Sequence, residues 1–194
     1  NLGALALLGA ALGEGWVQGM FRADTTGITY AIALVFFVGL AFALVRGFRV
    51  AREIGCARNG RACTQSWADA YLDAIAGRDA SARALAAQAL RSEVAARIAP
   101  VRHIASSLVM LGLIGTVVGF IMALSGIGTT MTPDVGAVSG MIARLISGMS
   151  VALYTTLEGA VLSLWLTVNH QMLAAGAARL VGGLVMRGER DAGV

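Results

Sequence analysis

Residues 111–124 read LGLIGTVVGFIMAL. Gly112, Gly115 and Gly119 recur at spacings of three and four, so they fall within about 60° of one another on a wheel of 3.6 residues per turn. An otherwise oily helix therefore carries one flat strip, with a single hydroxyl, Thr116, beside it. Such strips let helix backbones approach closely, which is the main packing device where lipid supplies no hydrophobic drive between helices. A second oily stretch answers with its own strip, because Gly148, Ala152, Thr155 and Gly159 share a face. The two stretches are read as a tightly packed pair, with Gly112, Gly115, Gly119, Gly148 and Gly159 as its contact residues.

Composition sets the solvent for that pair. Of 194 residues, 57% are hydrophobic and 13% charged, with a mean hydropathy of +0.75, whereas a soluble domain carries about 25% charged residues. Three stretches supply the ~20 apolar residues needed to cross a bilayer: Ile28 to Val45, Ile104 to about Ile127, and Gly148 to about Leu173. Leu2 to Leu12 is apolar but short, and the chain opens on Asn1 rather than Met, which reads as a helix truncated at its start. The fold class expected is an all-α integral membrane protein, with three complete transmembrane helices and a truncated N-terminal one.

All fifteen basic residues are Arg. Ten of them lie between Arg46 and His103, and Arg179, Arg187 and Arg190 follow the last span; the two remaining connections hold only Arg22 and Arg144. Positive charge is retained on the cytoplasmic side, so the middle segment and the C-terminus are placed inside. The net charge of +4 is thus a matter of topology, and the absence of a basic surface interleaved with aromatics argues against nucleic-acid binding. From Thr64 to Ala99 the middle segment is Ala-rich and lacks Pro, with Trp67, Tyr71 and Ile75 at a helical period and Val94 and Ile98 repeating it. Pro100 marks a boundary or kink just before the membrane. The spans before and after are expected to continue as helices into the cytoplasm and pack there. GIGTTMTPDVGAVSG, residues 126–140, reads as an outside turn with Asp134 in solvent. The organisation is then an N-terminal membrane region over 1–45 (partial helix 2–12, helix 28–45), a cytoplasmic helical segment over 46–103, a two-helix core over 104–174 and a cytoplasmic tail over 175–194.

Polar residues inside the spans are the candidates for function. Thr156, Ser163 and Thr167 stand seven and four residues apart and align within about 40°, a hydroxyl stripe down half the membrane. Each hydroxyl alone can be satisfied by the carbonyl four residues earlier; three in a row supply a face toward a neighbour or a wet path. Thr116 lies roughly 18 Å from the inner edge of a ~30 Å core and Thr156 roughly 12 Å from the outer edge, so the two are expected at one level. Glu158 is the only carboxylate inside a span, near the midplane, where a charge costs roughly 2.5 to 3.5 kcal/mol. It points about 200° away from Thr156 on the wheel, so a hydrogen bond across a helix or subunit contact stands beside the ion-path reading. No metal site, cofactor site or catalytic constellation emerges. Cys56 and Cys63 fit no common zinc spacing and read as thiols in a reducing cytoplasm, and His103 and His170 each stand alone at a membrane edge.

These residues resemble the MotA/TolQ/ExbB proton-channel family. LGLIGTVVGFIMAL looks like that family's Gly-rich penultimate helix, and GMSVALYTTLEGAVLSLWL, residues 148–166, like its last. The resemblance covers about residues 104 to 174 and implies a bacterial inner-membrane subunit of a homopentamer around two copies of a single-span ExbD/TolR/MotB-like partner. Proton flow past an acid on the partner would drive movement of one against the other, using the proton-motive force. By resemblance, Thr116 and Thr156 hold the positions of hydroxyls facing that partner in the ExbB/TolQ branch, with Ser163, Thr167 and Glu158 as further ion-path candidates. The Glu that this branch usually carries early in the last span aligns with Val151, and Glu158 lies seven residues later, within 20° of the same face. A flagellar stator of the MotA kind and a non-conducting membrane scaffold are the competing readings; an enzyme is not expected.

Overall fold

The computed structural model describes residues 27–59, 67–125 and 135–192. The partial helix expected over 2–12, Arg22, Cys63, Pro133 and Asp134 lie outside the described residues. There are four helices among the described residues and no strand: α1 (Ile28–Asn59), α2 (Trp67–Ile75), α3 (Ala80–Ser125) and α4 (Val135–Ala192). Three of them, α1, α3 and α4, are long and apolar enough to cross a membrane. The chain is an all-α, multi-pass membrane protein.

Helix lengths exceed the sequence expectation at both ends. At 1.5 Å per residue, α3 with 46 residues is about 69 Å long and α4 with 58 residues about 87 Å, each more than twice a ~30 Å hydrocarbon core. Residues 135–140, expected in the outside turn, are helical, as are residues 141–147 ahead of the expected span and the expected tail through Ala192. Val138, Ile142, Ile146 and then Met149 continue the oily period upstream, which Gly136 and Gly140 had obscured. Pro100 lies inside α3 without ending it. Its missing N–H forfeits one helical bond, and the buried neighbours Ile98 and Val101 hold the chain in register across the gap.

The helical segment expected from Thr64 to Ala99 divides, among the described residues, into α2 and the start of α3. Gly77 adopts φ +69°, a left-handed conformation that only Gly takes without strain, and the Ala76 and Arg78 amides donate back to Leu72 and Ile75 carbonyls to close α2. Asp79 then caps α3: its carboxylate accepts from the Ala82 amide at 3.3 Å and from the Ser81 hydroxyl at 2.6 Å. Those two donors hold the Asp79 carboxyl below its ordinary range. A folded-state pKa depressed in this way stabilises above the unfolded value and is lost as pH falls through the folded one. Asp79→Ala is therefore expected to lower the hydrogen-exchange protection factors of the Ala82 and Arg83 amides at neutral pH, and acidification to lower those of the wild type once the intrinsic slowing of exchange is divided out.

Two compact units arise from these helices. The first takes α1 as far as Gly39, α3 from His103 and α4 as far as Thr167; its buried residues include Ile32, Phe36, Leu108, Val151 and Leu166. The second takes α1 from Leu40, α2, α3 as far as Arg102 and α4 from Val168. Its core gathers Val50, Tyr71, Ile75, Leu90, Val94, Ile98, Leu180 and Leu184 among others, so the four-residue period of Tyr71 and Ile75 and that of Val94 and Ile98 both face inward. A two-pronged ion pair, Arg83 Nε and Nη2 to Glu189 Oε1 and Oε2 at 3.2 and 3.1 Å, joins α3 to α4 within this unit.

Candidate functional site

The first unit is organised by the α3–α4 seam, where missing side chains set the separation. A Cβ on Gly119 would lie 2.7 Å from the Ala152 amide nitrogen and from the Gly148 carbonyl oxygen; one on Gly148 would lie 2.5 Å from the Gly119 oxygen. A Cβ on Gly159 would lie 2.6 Å from the Leu108 oxygen, and one on Gly112 would meet the Thr155 oxygen at 3.0 Å. The void at Gly115 is filled by the Thr155 side chain. Backbone thus meets backbone on either side of Thr155, in antiparallel register from Gly159 at Leu108 to Gly148 at Ala123.

Most hydroxyls along the seam have a definite partner. Thr155 is fully buried in the seam and donates to the Val151 and Ala152 carbonyls. Thr156, one residue on, is exposed at the seam's edge; its hydroxyl lies 3.1 Å from the Ala152 oxygen and 3.3 Å from the Gly112 oxygen across the seam. Thr116 is half-buried and donates to the Leu113 oxygen at 2.5 Å. Because Thr156 reaches Gly112, it sits about one turn from Thr116 along α3. Ser163 does not continue an open stripe: it is 7% exposed and donates to the Ala105 oxygen at 2.7 Å, so it bolts α4 to α3. Thr167 is half-buried.

α1 decides which flank of the seam is which. Gly39 lies against Ile104 of α3 and Leu166 of α4, and the Phe36 and Trp165 rings meet edge to face at 5.8 Å. Ile104 of α3 and Trp165 of α4 stand on one side of the glycine strips, whereas Thr116 and Thr156 stand on the other. The two threonines therefore share the flank opposite α1, bordered by exposed Leu113, Val117, Leu153 and Leu157. Glu158 is half-buried and lies about 160° from Thr156, on the α1 side with fully buried Val151. The structure brings Thr116 and Thr156 together and separates Glu158 from them.

A threonine hydroxyl has one proton to donate and two lone pairs to accept with. Thr116 and Thr156 both spend the proton on backbone carbonyls, so what remains for a neighbour is acceptor capacity. Such a face receives a protonated acid, an amide or water and offers nothing to a bare carboxylate.

Sequence reasoning missed Thr29. It is buried at 1% exposure at the start of α1, and its signal was its place in the stripe 29, 32, 36, 39 and 43, all buried.

Comparison with curated proteins and with solved structures gives no match. The family model described as the MotA/TolQ/ExbB proton channel family matches residues 72–185, which take in both helices of the seam up to and beyond the threonines. With more than half of its 194 residues matched, the chain belongs to the MotA/TolQ/ExbB proton channel family.

Proposed function

We propose that the chain is the channel-forming subunit of an inner-membrane motor that uses the proton-motive force to move a single-span partner of the ExbD/TolR/MotB kind. Five copies surround two partner helices, residues 46–103 and the C-terminus lie in the cytoplasm, residues 104–174 form the channel core, and the partner acts on the outer side, as in the ExbB/TolQ branch. The observation that carries this reading is the pair Thr116 and Thr156 on one flank of a rigid seam, with their lone pairs outward. A partner acid can rest there in its protonated form, give up the proton toward the inner side, and pass as a carboxylate to the next subunit. A charge moved across the membrane is worth about 2.3 kcal/mol per 100 mV, enough to bias such stepping.

The test is Thr156→Val in the assembled complex with its partner. Loss of one acceptor in the rate-limiting step lowers proton-driven work roughly threefold to tenfold while the assembly still forms. Wild-type flux and work in this variant would sink the proposal. A stable assembly that conducts nothing, with no single-span partner encoded beside it, would instead favour the scaffold reading, to which the glycine seam alone is also suited.

A further inference from the structure

The apolar span of α1 gives way to arginine within two turns, where residues 44–52 read LVRGFRVAR. Ala43 and Val50, seven residues apart, are buried and fix the inward face. Val45, Phe48, Arg49 and Arg52 fall within about 100° of one another on the opposite side. All four are exposed, Phe48 to 74%. Arg46 is half-buried beside them, its Cζ 4.9 Å from the centre of the Phe42 ring one turn back into the span. Three arginines thus stand against one carboxylate, Glu53, which is half-buried and turned about 100° from Arg52 toward the packed side. Neither plain solvent suits such a face. Water disfavours an open phenylalanine, and hydrocarbon disfavours a guanidinium more strongly. Depth resolves the conflict, because the span ends near Val45 and Phe48 and Arg49 lie about 5–6 Å beyond it along the axis. That is the headgroup layer, roughly 5–7 Å thick on each side of the hydrocarbon. Arg52 stands about 10 Å beyond, and a helical side chain leans toward the N-terminus of its helix, which brings its head back toward that layer.

We propose that this face of α1 binds an anionic phospholipid, with the headgroup phosphate on Arg49 and Arg52 and an acyl chain along Phe48, Val45 and Ala41. An amphipathic ligand is what an amphipathic face of this order requires: charge at the outer end, oily surface toward the membrane. Guanidinium groups take phosphate oxygens through paired N–H donors. A zwitterionic headgroup would bring its own ammonium against three arginines, whereas an anionic one leaves a net negative charge for them to meet. Topology alone asks only that arginines gather on one side of the membrane. A lipid site asks further that they share a face with exposed apolar side chains, and Arg49 and Arg52 share one with Val45 and Phe48. The assignment depends neither on what the chain conducts nor on which side of the membrane α1 ends.

The experiment places a reporter in the site. Phe48→Trp in the full chain, in phosphatidylcholine bilayers, reads the adjoining lipid through quenching by brominated acyl chains; the unsubstituted chain supplies the background of Trp16, Trp67 and Trp165. Brominated phosphatidylglycerol should quench the reporter more than brominated phosphatidylcholine at the same mole fraction. An arginine at an anionic surface is worth about fivefold in association, so adding Arg49→Gln and Arg52→Gln should erase most of that preference. Equal quenching by the two lipids in the arginine-bearing chain overturns the proposal, and so does a preference that survives the loss of both arginines. Quenching by neither lipid would mean that protein covers the face, and overturns it too. Should the glutamine variant fail to fold, salt decides on the arginine-bearing chain. Raising ionic strength from about 0.1 M to about 1 M shortens the screening length from about 10 Å to about 3 Å and should shrink the preference several-fold; an unchanged preference overturns the site. None of these readouts needs conduction, so failure of the channel reading would show in the Thr156→Val flux and leave them unchanged.

Discussion

Gly119→Val is expected to lose the folded membrane assembly at temperatures the wild type withstands. The first atom of the new side chain would fall within 2.7 Å of the Ala152 nitrogen and the Gly148 oxygen and 2.9 Å from the Ala152 Cα. All three are backbone atoms, which cannot swing aside as the tip of a side chain can. Either α3 and α4 separate along the whole seam, forfeiting the Ser163–Ala105 bond and the packing around Leu108 and Val151, or the helices bend. Overpacking of this kind costs about 3 kcal/mol or more, the upper end of its range, which in a chain of this size lowers Tm by about 6–12 °C. Thermal unfolding in mild detergent reads the shift. Gly47→Val is the control, because a Cβ there meets nothing within 4 Å and the change removes a helix-weakening glycine. Equal melting of the two variants would mean that backbones do not meet at Gly119.

Leu184→Ala should be the most damaging truncation in the second unit. Leu184 is 2% exposed in the cluster with Tyr71, Ile75, Leu180 and Val181, and removing a buried leucine side chain from a core in water costs about 2–5 kcal/mol. Leu166→Ala removes the same atoms from a site that is 0% exposed in the first unit. There the unfolded alternative is lipid, as apolar as leucine itself, so the transfer share of the cost vanishes and only lost packing remains. Leu184→Ala is therefore expected to lower Tm clearly more than Leu166→Ala. Equal losses would contradict our placement of the second unit in water.

The difference between those two cores also explains what could be read from sequence. The glycine spacing of residues 112, 115 and 119 is a local pattern, and a wheel suffices to see that it makes one strip. The period of Tyr71 and Ile75, or of Val94 and Ile98, is equally local. Helix ends were less legible because continuation depends on partners distant in sequence: residues 135–140 look like part of a turn from their glycines. The break at Gly77 and Asp79 was legible in principle, a helix-stopping Gly followed two residues later by a capping Asp, yet it sits in an Ala-rich run that masks it. For the hydroxyls, a wheel gives angles but not neighbours. Ser163 shares a stripe with Thr156, yet Ala105 takes its proton, and nothing in either residue's own surroundings announces that. A wheel alone turns Glu158 away from Thr156; that this is the α1 flank required the Phe36–Trp165 contact.

The glycine seam has a mechanical consequence. Between most packed helices lies a layer of side chains that can change rotamer, and sliding one helix past another draws on that slack. Along Gly112, Gly119, Gly148 and Gly159 the layer is missing, so α3 and α4 have no low-energy way to shear. Along that strip they behave as a single stiff rod, so any movement the pair takes part in must be taken up at its outer surfaces rather than inside it.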